Sequence, residues 1–305
     1  MAQAFPELLL ELATKNSNIC GVSCDCRSFI LPLAERFPKR AIELGIAEQN
    51  LIGVAGGLAM QGKIPFAIGM NPFVTMRCFE QIRTDLAYGC RNVKVIGGYG
   101  GGIMYGGWGC THHAAEEIGL MRLIPTMTVV MPADTYETEH AVRGAAEMDG
   151  PFYISLAGGK LPIDKSEDER SFEVGRAALL REGNDITIIG VGPAVADTLK
   201  AADILAGKGI DARILNMHTV KPIDIGAILQ AASQTRLIIT IEEHTVIGGL
   251  GGAVAEVLAS AGSGTPLRRL GLKDVFACMA GSHQDVKNRF GITAEAIVKE
   301  ALGQM

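Results

Sequence analysis

Glu43-Leu44-Gly45-Ile46-Ala47-Glu48-Gln49-Asn50-Leu51-Ile52-Gly53-Val54-Ala55-Gly56-Gly57-Leu58 reads as a glutamate at the head of a helix built from small residues. Glycine and alanine along one helix let another backbone pack closely against it. The pattern predicts a helix over Glu48–Gln61, and the apolar run that follows, Ile64–Met70, has the length of a buried strand. A helix running into a buried strand is the unit of an α/β fold. Taken alone, Glu48 has a bland reading, because a carboxylate in a first turn caps the helix and complements its dipole.

Outward from that stretch the alternation continues. Asn92–Gly97, Thr126–Met131 and Pro151–Leu156 are expected strands, and Val74–Tyr88, Ala114–Leu123 and Thr135–Asp149 expected helices. The periodicity breaks at Leu161–Glu173 around the charged run Asp164-Lys165-Ser166-Glu167-Asp168-Glu169-Arg170, which places a domain boundary between residues 165 and 166. A second α/β unit follows. Its expected strands are Asp185–Val191, Asp211–Asn216 and Thr235–Glu242, with helices at Pro193–Gly207, Asp224–Ala232, Gly251–Ala261 and Thr293–Leu302. The expectation is two domains, 1–165 and 166–305, each a mostly parallel sheet flanked by helices.

Composition narrows the function. A net charge of −5, with acids and bases interspersed, argues against a nucleic acid or an anionic membrane as partner. Charges, glycines or prolines interrupt every apolar run, and Met1-Ala2-Gln3-Ala4-Phe5-Pro6-Glu7 lacks the pattern of a secretory signal, so a cytoplasmic location is expected. Seven cysteines at irregular spacing do not form a disulfide framework. Cys20, Cys24 and Cys26 have no second Cys/His cluster to complete a zinc site and read as reduced thiols. The 38 glycines gather in Gly97–Gly102, Gly106–Gly109 and Gly248–Gly252, where backbone must turn tightly or lie close to something else.

Three strings bear on chemistry. The first is Gly45-Ile46-Ala47-Glu48-Gln49-Asn50. The second, Phe73-Val74-Thr75-Met76-Arg77-Cys78-Phe79, sets Phe73, Met76 and Phe79 at helical spacing, which by itself is core packing. The third is Gly106-Gly107-Trp108-Gly109-Cys110-Thr111-His112-His113-Ala114-Ala115-Glu116-Glu117, a histidine pair at a loop–helix junction. Together and in this order, across nearly the whole chain, they resemble the thiamine diphosphate-dependent transketolases: first the pyrimidine-binding domain, then the transketolase C-terminal domain. The resemblance implies that Glu48 contacts N1′ of the thiamine aminopyrimidine. A carboxyl group sharing a proton with that nitrogen lets the cofactor's own amino group deprotonate the thiazolium carbon. It further implies that Phe73 stacks on the aminopyrimidine and that Met76 and Phe79 complete the apolar wall. His112 would reach the reacting end of the substrate as hydrogen-bond donor or proton shuttle, with His113 and Trp108 beside it. Asn216–Asp224 and Glu242–Gly251 match the C-terminal domain, and there His218 and His244 read as structural.

The same resemblance exposes a gap and two departures. Relatives hold the diphosphate and its Mg²⁺ with a Gly-Asp-Gly and distal asparagines, and no Gly-Asp-Gly occurs here. An N-terminal partner subunit is expected to supply that site, in an α2β2 assembly with the cofactor between the subunits. Sugar-phosphate transketolases commonly carry Asp at the place of Trp108, and an Arg that binds the substrate phosphate where Gly158 aligns. Lys160 or the partner could replace that Arg only as a point charge. The expected reaction is transfer of a two-carbon ketol unit from a ketose, phosphorylated or otherwise modified, to an aldose. The alternatives are the β subunit of a 2-oxo acid dehydrogenase, a deoxyxylulose phosphate synthase-like enzyme, and a non-catalytic scaffold subunit.

Overall fold

The structure, a computed structural model, describes residues 4–158, 161–162 and 170–304. The expected boundary at 165/166 and Lys160 lie outside the described residues. The chain divides into two compact units: residues 1–101 with 120–159, and residues 102–119 with 160–305.

In the first unit the strands are β1 (Ile19–Ser23), β2 (Ala41–Glu43), β3 (Ile64–Gly69), β4 (Lys94–Gly97), β5 (Thr128–Val130) and β6 (Phe152–Ser155). They lie in the order β5-β6-β4-β3-β1-β2, and neighbours run parallel. Every residue of β1, β4 and β6 is buried, as in a sheet covered on both faces. Helix α1 (Ala4–Lys15) precedes β1, and α2 (Leu31–Arg36), α3 (Glu48–Met60) and α6 (Thr135–Glu147) lie between strands. α6 starts as its sequence predicts, with the Asp134 carboxylate accepting from the Glu137 amide at 2.9 Å. The expected helix at Val74–Tyr88 is not regular. A short α4 (Phe79–Gln81) sits between π-type turns at Phe73–Arg77 and Ile82–Ala87.

α3 leaves the edge strand β2 and returns to β3 in the middle of the order, crossing over β1. Its first residue therefore stands at the carboxyl ends of the strands, the side on which open parallel sheets bind ligands. The segments following β3 and β4 leave from the same side.

The second unit has β8 (Ile186–Gly190), β9 (Ala212–Asn216), β11 (Ile238–Thr245) and β12 (Leu267–Leu272) in parallel, closed by the antiparallel edge strand β7 (Ala178–Arg181), in the order β12-β11-β8-β9-β7. A short strand β10 (Thr219–Lys221) follows β9. α7 (Val195–Ala206), α8 (Ile225–Gln234), α9 (Leu250–Ser260) and α11 (Ala294–Leu302) lie where the sequence predicts helices. α10 (His283–Phe290) was not expected, although Ser282 and Asp285 form a capping box, a signal present in the sequence. The remaining helix, α5 (Glu117–Leu123), starts three residues later than Ala114.

The C-terminal-domain strings do structural work. Both oxygens of the buried Glu242 accept from the head of α9, Leu250 N at 2.6 Å and Gly251 N at 2.8 Å. His244 accepts from Gly119 N at 3.1 Å through Nε2, while Nδ1 lies 2.6 Å from the Thr245 carbonyl, to which it donates. His218 stacks on Phe172 with ring centroids 4.2 Å apart. Burial pulls its pKa down to about 4. Between pH 4 and the ordinary histidine range the unfolded chain then binds a proton that the folded chain does not, so stability falls as pH drops through that window. The loss should reach at most about 3 kcal/mol. Thermal unfolding of the parent and of His218→Gln between pH 7 and pH 4 should show a steeper fall for the parent, and equal slopes would contradict this account.

Candidate active site

Glu48 is the first helical residue of α3, and its side chain is 6% exposed. The cap position before it is Ala47, which has no side-chain acceptor, so the turn into the helix depends on other groups. Glu43, at the end of β2, is the organiser. Its carboxylate accepts from the Ser23 hydroxyl, from Asp25 N at 2.9 Å and from Gly45 N at 3.0 Å. Asp25 and Gly45 both hold positive φ, 54° and 65°. One exposed carboxylate thus closes two strained turns at the strand ends and aims the chain into Glu48.

The Glu48 carboxylate accepts from Arg77 Nη1, at 3.1 and 3.3 Å for the two oxygens. The same guanidinium lies 3.8 Å from the centroid of the Phe73 ring. Phe73 and Arg77 are four residues apart, which makes them neighbours on one helix face, while the π-type widening from Phe73 to Arg77 breaks up the i, i+3 face. Met76 accordingly lies 37% exposed, and Phe79 is half-buried like Phe73. The single face expected for Phe73, Met76 and Phe79 gives way to a Phe73–Arg77–Glu48 sandwich. Cys24 and Cys78 are near enough for the Glu48 charge to add to burial, which pushes their thiols up to about 11 and about 12.

Asn71, fully buried, was not singled out in the sequence. Its amide donates to Ser155 Oγ at 2.8 Å and Tyr153 Oη at 3.3 Å, and its carbonyl oxygen accepts from Tyr99 N at 3.2 Å. It thereby fastens the ends of β3 and β6 to the loop after β4. Gly97 is glycine because a Cβ there would overlap this amide.

Trp108, His112 and His113 belong to the second unit, so the structure gathers the sequence-derived residues into two groups, one in each unit. The loop closes on itself through Ala114 N to Gly102 O at 2.7 Å and Gly102 N to the buried Glu117 carboxylate at 2.9 Å. His112 is partly exposed. Its ring meets Trp108 edge-on, with centroids 4.8 Å apart, and Tyr105 lies beyond at 6.5 Å. Thr111 Oγ1 is 3.0 Å from His112 Nδ1, which leaves Nε2 as the nitrogen away from that contact. Trp108 is 62% exposed. His113 is buried, and burial holds its pKa below the ordinary range, with the Tyr105 backbone partly opposing and the neighbouring His112 and His283 adding to the fall.

Glu43→Ala should release the turn ahead of Glu48 without unfolding the sheet. Amide exchange at Asp25 and Gly45 is expected to speed up by about tenfold, equivalent to roughly 1.4 kcal/mol of lost hydrogen bonding, while exchange at Val22 and Ile68 stays as in the parent. A uniform rise at all four amides would mean that Glu43 supports the fold in general rather than this turn.

The family described as "Transketolase, pyrimidine binding domain" matches residues 1–162, and "Transketolase, C-terminal domain" matches residues 175–297. The 6-deoxy-6-sulfo-D-fructose transketolase subunit SqwH of a Clostridium species is 42% identical over 304 residues, covering 99% of this chain and 93% of that protein. An apulose-4-phosphate transketolase subunit of Phocaeicola vulgatus is 37% identical over 302 residues, covering 98% of this chain and 96% of that protein. A solved structure described as a split gene transketolase, inactive beta4 tetramer, superposes with a TM-score of 0.87 at 41% identity, covering 97% of this chain and 95% of that one. This chain therefore belongs to the transketolase family and carries its pyrimidine-binding and C-terminal domains in that order.

Proposed function

We propose that this chain is the C-terminal subunit of a split, thiamine diphosphate-dependent transketolase. It would act in the cytoplasm with an N-terminal partner that holds the diphosphate and Mg²⁺, in an α2β2 assembly. The observation that carries the reading is the sandwich at Glu48. The Arg77 guanidinium is a planar, N–H-donating group that lies over an aromatic ring and bonds a buried carboxylate. An aminopyrimidine asks for the same two contacts, so Arg77 stands in for it, and the residues present fit the cofactor.

When bound, the cofactor supplies the nucleophilic carbon that accepts the ketol unit. Glu48 holds a proton at N1′, and Phe73 supplies the stacking face. Met76 and Phe79 keep water from its rim. Arg77 neutralises the Glu48 charge and has to leave the carboxylate before Glu48 can share a proton with a ring nitrogen. His112, steadied by Thr111 and Trp108, donates to or takes a proton from the oxygen of the transferred unit, with His113 buried behind it.

The two coextensive relatives are named for a sulfonated deoxyfructose and for apulose 4-phosphate, which supports ketol transfer over the oxo-acid dehydrogenase and deoxyxylulose phosphate readings. Trp108 and Gly158, standing where common sugar-phosphate enzymes carry Asp and Arg, favour a ketose other than the usual pentose and hexose phosphates, such as a branched, sulfonated or otherwise modified sugar.

Glu48→Gln, reconstituted with the partner, should lose turnover by at least about 10²–10⁴-fold with subunit assembly unchanged by analytical ultracentrifugation, and unaltered turnover would sink the catalytic role. Arg77→Met should tighten thiamine diphosphate binding by up to about tenfold in calorimetric titration of the same complex. Weaker binding would instead make Arg77 part of the occupied site.

A further inference from the structure

Cys110 and Cys278 face each other with their Sγ atoms 3.8 Å apart, Cys110 partly exposed and Cys278 exposed. The segments that carry them are held together independently of sulfur. Gly281 N donates to Gly106 O at 3.2 Å, and Gly106 lies so close that a Cβ there would stand 2.7 Å from the Gly281 carbonyl oxygen. Two thiols in van der Waals contact, on backbones already bonded to each other, can reach the roughly 2 Å of a disulfide by side-chain rotation and small local shifts.

Other thiols of the chain are placed differently. Cys20, Cys24, Cys26 and Cys78 are buried, and burial pushes their pKa up to between about 11 and about 12, which withholds the reactive thiolate. Cys278 donates its S–H to Cys110, a contact that raises the Cys278 pKa.

We propose that Cys110 and Cys278 are a modification site, a dithiol that closes to a reversible disulfide on meeting a small-molecule disulfide such as oxidised glutathione. The Cys110 thiolate attacks one glutathione sulfur, the glutathione S–S bond breaks, and one glutathione thiolate leaves and takes up the proton Cys110 lost. Cys278, giving up its own proton, then attacks the Cys110 sulfur of the mixed disulfide and expels the second glutathione. Two protein thiols are oxidised, and one external disulfide is reduced to two thiols. Cys110 lies two positions before His112 on the same loop. The bond therefore staples the loop to the segment at Ala277–Ser282, and on the catalytic reading of His112 it slows turnover.

The test equilibrates the full chain with oxidised glutathione and reads it by intact mass and peptide mapping, a readout independent of activity. The expected product has lost two hydrogens, contains a Cys110–Cys278 cross-linked peptide, and reverts with dithiothreitol. Cys278→Ser, a conservative change at an exposed position, should give only a glutathione adduct at Cys110. Stable glutathione adducts on both cysteines of the parent, or a bridge to Cys90, would overturn the site. The chain reconstituted with its partner should lose at least about half its turnover on oxidation and regain it on reduction, whereas Cys278→Ser should not respond in this reversible, bridge-dependent way. A bridge that forms with turnover unchanged would overturn its coupling to His112 alone.

Discussion

A carboxylate taken out of water must be answered by something, and at the head of α3 that requirement shapes the first unit. Glu48 is buried, its own helix offers only the partial charge of its N-terminus, and the answering group comes from a separate helix. Arg77 delivers it from the turn that also carries Phe73, with its guanidinium above the ring and against the carboxylate. The strand order supplies the stage, since α3 crosses β1 and both helices begin at the carboxyl ends of the strands. Glu43 and Asn71 then hold the adjoining turns in place, each by bonds to groups from other strands or loops.

That arrangement suits a wide, partly polar helix next to a buried carboxylate. An alkyl side chain in place of Arg77 would leave the Glu48 charge without a partner. A permanently fixed cation would keep the carboxylate from sharing a proton with anything else. A guanidinium on a flexible stem, half exposed at its free side, meets both demands, because it can bond the carboxylate and can also be solvated away from it.

Much of this was legible in the sequence. The long apolar runs became strands within a residue or two of their expected ends, except β11, which starts and ends three residues later, because burial on both faces leaves a continuous signal. The helix that Glu48 heads was legible from its small residues. Short or interrupted elements were missed. β2 has three residues, β12 carries Arg268 and Arg269 in its first half, and α10 is polar apart from Val286 and Phe290. The π-type turns and Asn71 escaped for a different reason. Asn71 meets Tyr153 and Ser155, which are 82 and 84 residues away along the chain. Periodicity reports local conformation and says nothing of such partners. Arg77 lies four residues after Phe73, where a helix makes them neighbours, but the i, i+3 spacing of the apolar residues drew the reading to Phe73, Met76 and Phe79 instead.

The assignment of residues 102–119 carries a consequence for how the chain can be divided. The polypeptide leaves the first unit after Gly101, builds a loop closed on Glu117, Glu243 and Gly281, and then goes back to complete β5 and β6. The second unit is therefore discontinuous, and a single cut near residue 165 would separate it from one of its own parts. A fragment ending there would keep His112 but lose the surfaces that shape its loop, and the complementary fragment would have a gap where that loop belongs. Recombination between relatives at the linker meets the same obstacle, since it would join a loop from one parent to a bed from another. Residues 102–119 and the segment after 160 thus form one unit, although they stand apart along the sequence.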